Sequence, residues 1–311
     1  MSENKKDTLK NAQSPRENEE KDKNTPPPMG FRMIAREFTK DKMALGSLVL
    51  IGIILLVVFI GAMLIDQTAM ERINILNSWN PPSPEHWLGT DDGGRDVLQL
   101  IIIGARNSIS IAVLTTLGIN LVGITFGVIS GYFGGRIDNV LMRFADFIMI
   151  LPGMVIIIVV VTVIPNWNVF WFVTIFTLVF WTGTSRLFRA LALTEARRDY
   201  VSASKTLGTP TWKIIFREVL PNLSSVIITN LTIALAGNMG IEVTLTFLGF
   251  GLPPSIPSLG RLINHASNGA VLQNNTWVWM PPALLIVIWM LCVNYIGAAF
   301  KRAADARQRL G

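Results

Sequence analysis

The chain has 311 residues, of which 50% are hydrophobic and only 15% are charged, and its formal net charge is +6. This composition excludes an ordinary soluble globular protein, because such proteins carry about 25% charged residues. A single cysteine, Cys292, excludes an intrachain disulfide, and the two histidines, His86 and His265, are too far apart in sequence to form a zinc motif. We therefore predict a membrane protein without a metal site.

The first segment of the chain is polar. Residues 1–30 hold six acidic and six basic residues and have three consecutive prolines near their end, which predicts a disordered cytosolic tail. The next stretch, FRMIAREFTKDK, places Phe31, Ile34 and Phe38 on one helical face, which is typical of a short amphipathic helix at the inner leaflet or of a simple positive flank. The apolar run that begins at Ala44 is too long for a cleaved signal. Residues 31–66 are thus predicted to form an amphipathic helix and a retained membrane anchor.

Six apolar runs are long enough to cross a bilayer, whose core of about 30 Å requires about 20 residues of helix. They cover residues 44–65, 108–131, 147–164, 167–185, 223–250 and 278–300. We predict an all-α fold with six transmembrane helices. Glu242 is the only charged residue in the fifth run, and an ionisable group at such a position is a candidate functional residue.

The basic residues predict the orientation of these helices. If the N-terminus is cytosolic, 23 of the 27 Lys and Arg residues fall in cytosolic segments and only Arg72, Arg95, Arg106 and Arg261 fall outside. Short cytosolic loops retain basic residues, so both termini, including residues 301–311, are expected in the cytosol. This distribution also accounts for the net positive charge, so the charge does not indicate nucleic-acid binding.

The predicted outer loop, residues 67–107, contains the adjacent acidic residues Asp91 and Asp92. Paired carboxylates can bind calcium or act as acid and base. The sequence nearby supplies neither further ligands nor a nucleophile, so a solvated turn is the favoured interpretation. No Gly-Lys pair occurs anywhere in the chain, which excludes a Walker-type phosphate loop.

The predicted cytosolic loop 186–222 contains two short helices around the sequence Gly208-Thr209-Pro210. Glycine suits the left-handed position after a helix, threonine is a good N-cap and proline is favoured at the first helical position. We therefore expect Gly208 to have a positive φ, Thr209 to cap the second helix and Pro210 to begin it. Pro221 is expected to end that helix.

The second of these helices is predicted to carry an apolar face made of Trp212, Ile215, Phe216 and Val219, which follow helical spacing. Three partners could cover this face: the membrane helices of the chain, DNA, or a cytosolic protein. DNA is disfavoured, because topology alone explains the basic residues of this loop.

Residues 202–221 resemble the coupling loop of binding-protein-dependent ABC importer permeases. The spacing of the family pattern is kept by Ala203, Gly208, Leu220 and Pro221. Departures from the pattern are Ser202 in place of Glu, Ser204 in place of Ala, and Glu218 in place of Ile.

Two further stretches resemble the peptide-importer branch of this family. They are HWLGTDDGGRDVLQLIIIGARNS, with Trp87 at a position where the branch has Pro, and EVTLTFLGFGLPPSIPSLGRLINHA, with Leu259 at a position where it has Trp. The resemblance extends over roughly residues 30–305. It is closest to the C-type subunit of oligopeptide and dipeptide importers.

The resemblance implies a type I permease core of five helices at residues 108–300, preceded by one anchor, in a bacterial cell membrane. It implies a heterodimer with a sister permease, two cytosolic ATPase subunits that bind ATP, and an extracytoplasmic peptide-binding protein, with no cofactor bound by this chain. The residues implied to contact an ATPase subunit are Asp199, Ala203, Gly208, Thr209, Pro210, Trp212, Leu220 and Pro221. Glu242 is a candidate gate residue or contact with a partner subunit.

Other functions remain open at this point. Permeases that import nickel or a metal chelate carry nearly the same motifs. A membrane enzyme would have to use Asp91, Asp92 and Glu242, and no nucleophile or tuned acid–base pair accompanies them, so we predict no catalytic residue. A secondary transporter is disfavoured, because no series of ionisable residues crosses the helices.

Overall fold

The computed structural model describes residues 41–66 and 73–310, with side chains described through residue 302. This part of the chain is α-helical and contains no strand beyond an isolated bridge between Thr90 and Asp96. The predicted tail at residues 1–30 and the predicted amphipathic helix that follows it lie outside the described residues.

Eleven α-helices occur in the described ranges. They are α1 (Lys42–Leu64), α2 (Val97–Phe133), α3 (Gly135–Ile150), α4 (Gly153–Val163), α5 (Val169–Glu195), α6 (Asp199–Thr206), α7 (Thr211–Ile214), α8 (Leu220–Phe247), α9 (Leu259–Asn264), α10 (Gly269–Asn274) and α11 (Thr276–Leu310). In this part of the chain, five helices are long and apolar enough to cross a membrane, and the bent pair α3–α4 makes a sixth if it is counted as one span. The all-α membrane fold is confirmed.

The third predicted span is not one straight helix. The chain bends by 75° between α3 and α4, at Leu151 and Pro152, which both have extended backbone angles. Proline lacks an amide hydrogen, and its ring disfavours a helical conformation for the residue before it. The apolar run 147–164 was therefore predicted correctly as membrane-compatible but wrongly as a single helix.

Helix α2 begins at Val97, so the predicted loop 67–107 is wrong at its C-terminal end. The Asp96 carboxylate accepts a hydrogen bond from the amide of Gln99 at 3.1 Å and caps the helix. With 37 residues, α2 is about 56 Å long. The polar residues Arg106 and Asn107 concealed this start, because they interrupt the apolar run without interrupting the helix.

Helices α2 and α5 pack with their backbones in contact through a row of glycines four residues apart. A Cβ atom added to Gly127 would lie 2.5 Å from the carbonyl oxygen of Ser185, and one added to Gly131 would lie 2.4 Å from that of Arg189. In membranes, small residues at this spacing favour close helix packing. The central helix pair therefore depends on the absence of side chains at these positions.

Contacts at the ends of the first and last spans define two opposite faces of the molecule. Asp41, the N-cap of α1, pairs with Arg302 near the end of α11, so the start of the first span and the end of the last lie together. We call this side the terminal face. At the opposite face, the Trp277 indole donates a hydrogen bond to the Thr90 carbonyl oxygen at 3.4 Å, and Trp79 packs edge-on against His265.

Candidate functional sites at the two faces

At the terminal face, Gly208 makes the sharp corner between α6 and α7. Its φ of 77° lies in the left-handed region, as predicted. The Thr209 amide donates to the Ser204 carbonyl oxygen and the Gly208 amide to that of Lys205, both at 3.0 Å. This pair of bonds is a Schellman motif, so the corner has a defined angle.

The helix after the corner starts one residue later than predicted. Pro210 occupies the N-cap position with ψ of 142°, and α7 begins at Thr211. The assignments of Thr209 as N-cap and of Pro210 as first helical residue are therefore wrong. The reason is that the Thr209 amide completes the preceding helix, which leaves the next residue to start the new one.

Pro221 does not end the second helix. The chain passes from α7 through a π-helical turn, Ile215–Val219, directly into α8, where Pro221 lies in the first turn. The Leu220 amide donates to the carbonyl of Ile215, five residues earlier, and this wider turn accommodates a proline that has no amide hydrogen. Residues Thr211–Phe247 consequently form one continuous helix from the corner through the membrane.

The predicted apolar face of this helix is divided between the interior and the surface. Val219 is fully buried and Ile215 is partly buried, whereas Trp212 is 58% exposed and Phe216 is 65% exposed. Trp212 precedes the π-helical turn, which displaces only the residues from Ile215 onward from ordinary helical spacing. Ile214, which sequence reasoning missed, is also fully buried.

The corner thus presents three exposed apolar side chains, Leu207, Trp212 and Phe216, which we call the corner patch. Leu207 is 84% exposed. The remaining predicted contact residues divide into two groups. Exposed are Asp199, Ala203, Gly208, Pro210 and Pro221, and partly buried are Thr209 and Leu220. An exposed apolar patch beside a folded loop indicates an interaction surface.

A hydrogen bond joins two residues that depart from the family pattern. The Ser204 hydroxyl on α6 donates to Glu218 Oε1 at 2.7 Å and ties α6 to the turn before α8. Nearby, the Tyr200 hydroxyl donates to Glu195 Oε1 at 2.6 Å. Burial, followed by this bond, raises the pKa of Tyr200 to about 12. The sequence alone could not pair Ser204 with Glu218, because 14 residues separate them.

At the opposite face, Asp91 is fully buried, so the interpretation of both acids as a solvated turn is wrong for this residue. Asp91 Oδ1 accepts from the amides of Gly93 and Arg95, each at 2.9 Å, and Oδ2 accepts from Arg95 Nε at 2.8 Å. Asp92 is exposed. Asp91 therefore holds the loop together through both of its oxygens.

Asp91, Asp92 and His265 come close enough that their ligand atoms lie within 4.8 Å of one another. The Arg95 guanidinium already contacts both carboxylates, and its positive charge opposes that of a metal ion. Burial lowers the pKa of His265, although the two carboxylates oppose this effect. We assign this group to loop structure.

A cavity of about 540 Å³ lies beside this cluster. It is bordered by α2, α9 and the segment 254–258, and Arg95, Arg106 and Arg261 line it. The Asn107 amide donates to the Pro257 carbonyl oxygen at 2.8 Å and joins two of these borders. The sequence suggested nothing of this cavity, because its walls are distant in the chain.

Glu242 lies inside the chain. Its side chain is fully buried, Oε1 accepts from the Thr246 hydroxyl at 3.0 Å, and Oε2 has no hydrogen-bond partner in the described part of the chain. The carboxyl group therefore contributes to helix packing in this conformation. A contact with another subunit stays a prediction, because it would require this side chain to become accessible.

Two side-chain hydrogen bonds between α2 and α8, one buried and one partly buried, were also missed. The Asn230 amide donates to Asn120 Oδ1 and the Asn238 amide to Thr116 Oγ1, both at 2.8 Å. Hydrogen bonds of this kind stabilise helix pairs in membranes. Asparagines within apolar runs are the sequence signal that could have indicated this interface.

Comparison with known proteins agrees with this arrangement. The chain matches the family model described as "binding-protein-dependent transport system inner membrane component" over residues 123–310, more than half its length. Residues 31–82 match the N-terminal transmembrane domain of oligopeptide transport permease C.

Several curated relatives cover nearly the whole chain. The oligopeptide transport system permease protein OppC of Lactococcus lactis subsp. cremoris is 47% identical over 88% of this chain and 94% of its own length. The OppC protein of Bacillus subtilis is 33% identical over 88% of each chain. The dipeptide transport system permease protein DppC of the same species is 31% identical over 88% of this chain and 85% of its own.

These matches identify a multi-pass membrane component of a bacterial transport system rather than an enzyme. They join the anchor at residues 31–82 to the helical core at residues 123–310 in one kind of protein. The chain therefore belongs to the family of binding-protein-dependent ABC importer permeases, in its oligopeptide permease C branch.

Proposed function

We propose that this chain is the C-type permease subunit of an importer that moves oligopeptides into the cell with energy from ATP hydrolysis in separate subunits. The observation that carries the proposal is the 47% identity to an oligopeptide permease over 88% of the chain. Relatives named for oligopeptide, dipeptide and peptide transport all match most of the chain. These names favour a peptide over nickel as cargo.

The corner between α6 and α7 supports a role in coupling. Its patch of Leu207, Trp212 and Phe216 is exposed, and burying it against an ATPase subunit would be favourable at about 25 cal/mol for each Å² of apolar surface. Because α7 continues into α8 as one helix, a displacement of the corner would move the membrane helix directly. Alternating access requires such a coupled displacement of a membrane helix.

The basic residues support the orientation. The corner lies on the terminal face by the order of the spans, and seven Lys and Arg residues occur in residues 186–222. From the positive-inside rule we infer that the terminal face, and both chain termini, lie in the cytosol. The opposite face would then receive the extracytoplasmic binding protein, and a sister permease would complete the path through the membrane.

Reconstitution tests this proposal. The chain would be co-expressed with the sister permease, ATPase and binding-protein subunits of its own genome and placed in proteoliposomes. We expect ATP-dependent uptake of a labelled hexapeptide and no uptake of Ni²⁺. A complex whose ATPase subunits carry a substituted ATP-binding lysine is the control. Nickel uptake without peptide uptake would contradict the proposed cargo.

A further inference from the structure

The cavity at the opposite face has the size and walls of a small-ligand site. Its volume of about 540 Å³ falls within the range of about 300–1,000 Å³ typical of such sites. Apolar side chains form much of its wall, and they include Leu100, Ile103, Ile111, Leu114, Val169 and Leu262. A few charged groups are placed among them, which is the usual composition of a site that orients a ligand.

The charged groups at this cavity are mostly positive. Arg95 is paired with Asp91, but Arg106 and Arg261 form no ion pair with any residue that the structure describes. Among the described residues, the Arg106 guanidinium donates only to Asn107 Oδ1, at 3.3 and 3.1 Å. Two guanidinium groups therefore line the cavity without a carboxylate partner in the described part of the chain.

The surroundings of Arg261 make a counter-charge favourable. Burial and then the positive charge of Arg95 lower the pKa of Arg261, while the Asp92 and Asp91 carboxylates oppose this shift. Both causes disfavour the charged form of the side chain. An anion bound beside Arg261 would favour the charged form, and guanidinium groups bind planar carboxylates through paired hydrogen bonds.

We propose that this cavity binds the C-terminal carboxylate of the peptide as it enters the permease, with Arg106 and Arg261 as the residues that hold it. The inference rests on the proposed function, because it assigns a site to that cargo. A concave cavity with apolar walls suits the end of an extended peptide better than the flat surface of a partner protein. Every free peptide has a C-terminal carboxylate, whatever its sequence. A site for this group would therefore accept a broad range of peptides.

The test compares two forms of one peptide in the complete importer in proteoliposomes. A labelled hexapeptide with a free carboxylate and the same peptide with a C-terminal amide are each loaded onto the binding protein before uptake is measured. We expect the free acid to enter about tenfold faster than the amide, as a lost charge-assisted hydrogen bond predicts. The double variant Arg106→Gln with Arg261→Gln is expected to import both forms at the rate of the amide.

Two control variants sharpen the comparison. Arg106→Lys with Arg261→Lys keeps both charges and is expected to keep a preference for the acid. Arg143→Gln removes an exposed arginine on α3, away from the cavity, and is expected to leave the preference unchanged. Assembly of every variant with its partner subunits is checked by co-purification.

Three results would overturn the inference. An unchanged acid-to-amide ratio in the double glutamine variant would remove the two arginines from peptide binding. Equal slowing of both peptides, together with weaker stimulation of ATPase activity by the binding protein, would make the cavity a protein docking site. Loss of the acid preference in vesicles rich in phosphatidylglycerol would make it a site for lipid headgroups. Absence of any peptide uptake by the unmodified importer would instead reject the proposed function itself.

Discussion

The corner at the terminal face and the loop around Asp91 at the opposite face are held in shape by different interactions. The loop satisfies its own polar groups, because Asp91 is buried and bonded through both oxygens. The corner keeps a fixed backbone angle at Gly208 but leaves Leu207, Trp212 and Phe216 exposed. The loop also exposes apolar side chains, such as Leu76 and Trp87, so the two regions differ in how their backbone is held rather than in whether apolar surface is exposed.

The largest expected effect is loss of coupled uptake in Gly208→Val. A Cβ at this position would meet no atom within 4 Å, so the cost comes only from the φ of 77°. That conformation costs about 1–2 kcal/mol for a residue with a Cβ, and more for a β-branched one. We expect the membrane spans and the sister permease contact to persist while ATPase binding weakens and uptake is lost, as measured by co-purification and peptide transport.

The matched control is Gly269→Val at the opposite face, where a Cβ also meets open space but φ is not positive. This variant should import peptide normally. Wild-type ATPase binding and uptake in Gly208→Val would show that the corner is not the coupling element.

Next in size is the effect of Trp212→Ala on binding of the ATPase subunits. Exposed tryptophans in interfaces often contribute about 2 kcal/mol or more, which corresponds to roughly 30-fold in affinity. Because the side chain is 58% exposed in this chain, its removal should leave thermal stability nearly unchanged. Trp87→Ala is the control, since Trp87 is an exposed tryptophan at the opposite face. Equal ATPase affinity in the two variants would argue against a corner interface.

At the opposite face, Asp91→Ala should destabilise the permease itself. Removing the buried carboxylate leaves the Arg95 side chain and two backbone amides without their acceptor, at a cost of about 2–3 kcal/mol. Thermal unfolding of the purified permease in detergent measures this loss. Asp92→Ala, at an exposed acid, should cost less than about 1 kcal/mol. Similar losses in the two variants would contradict the buried role of Asp91.

A smaller effect is expected from Ser204→Ala, which removes the hydrogen bond to Glu218. The cost should be about 1 kcal/mol, and faster hydrogen exchange of residues 199–219 would report it. Adding Glu218→Ile, so that both positions carry the residues of the family pattern, should restore protection. The control is Ser202→Ala at an exposed position. A double variant less protected than Ser204→Ala would show that the pair is not compensatory.

The smallest effect is expected from Glu242→Gln, if Glu242 acts only in packing. Glutamine keeps the size of the side chain and an oxygen that can accept from Thr246. Uptake and assembly should then stay close to the wild type. A large loss of uptake with normal assembly would instead support the gate contact.

Local chemistry made several features predictable from the sequence. The apolar runs revealed the spans, because bilayer thickness sets the length of a helix that crosses it. Gly208 revealed the corner, because a positive φ depends mainly on the residue's own sterics. The motifs of the permease family were equally visible, since each is contiguous in the chain.

Tertiary structure decided the features that depend on residues distant in sequence. The bond between Asn107 and Pro257 joins positions 150 residues apart, so neither the cavity nor its two unpaired arginines could be inferred from spacing. Packing against the other helices decided that Ile214 and Val219 are buried while Trp212 and Phe216 face outward. The sequence by itself determined which segments enter the membrane and where the chain turns, because those choices are local. Packing between distant segments determined which polar groups are buried and which apolar groups remain exposed.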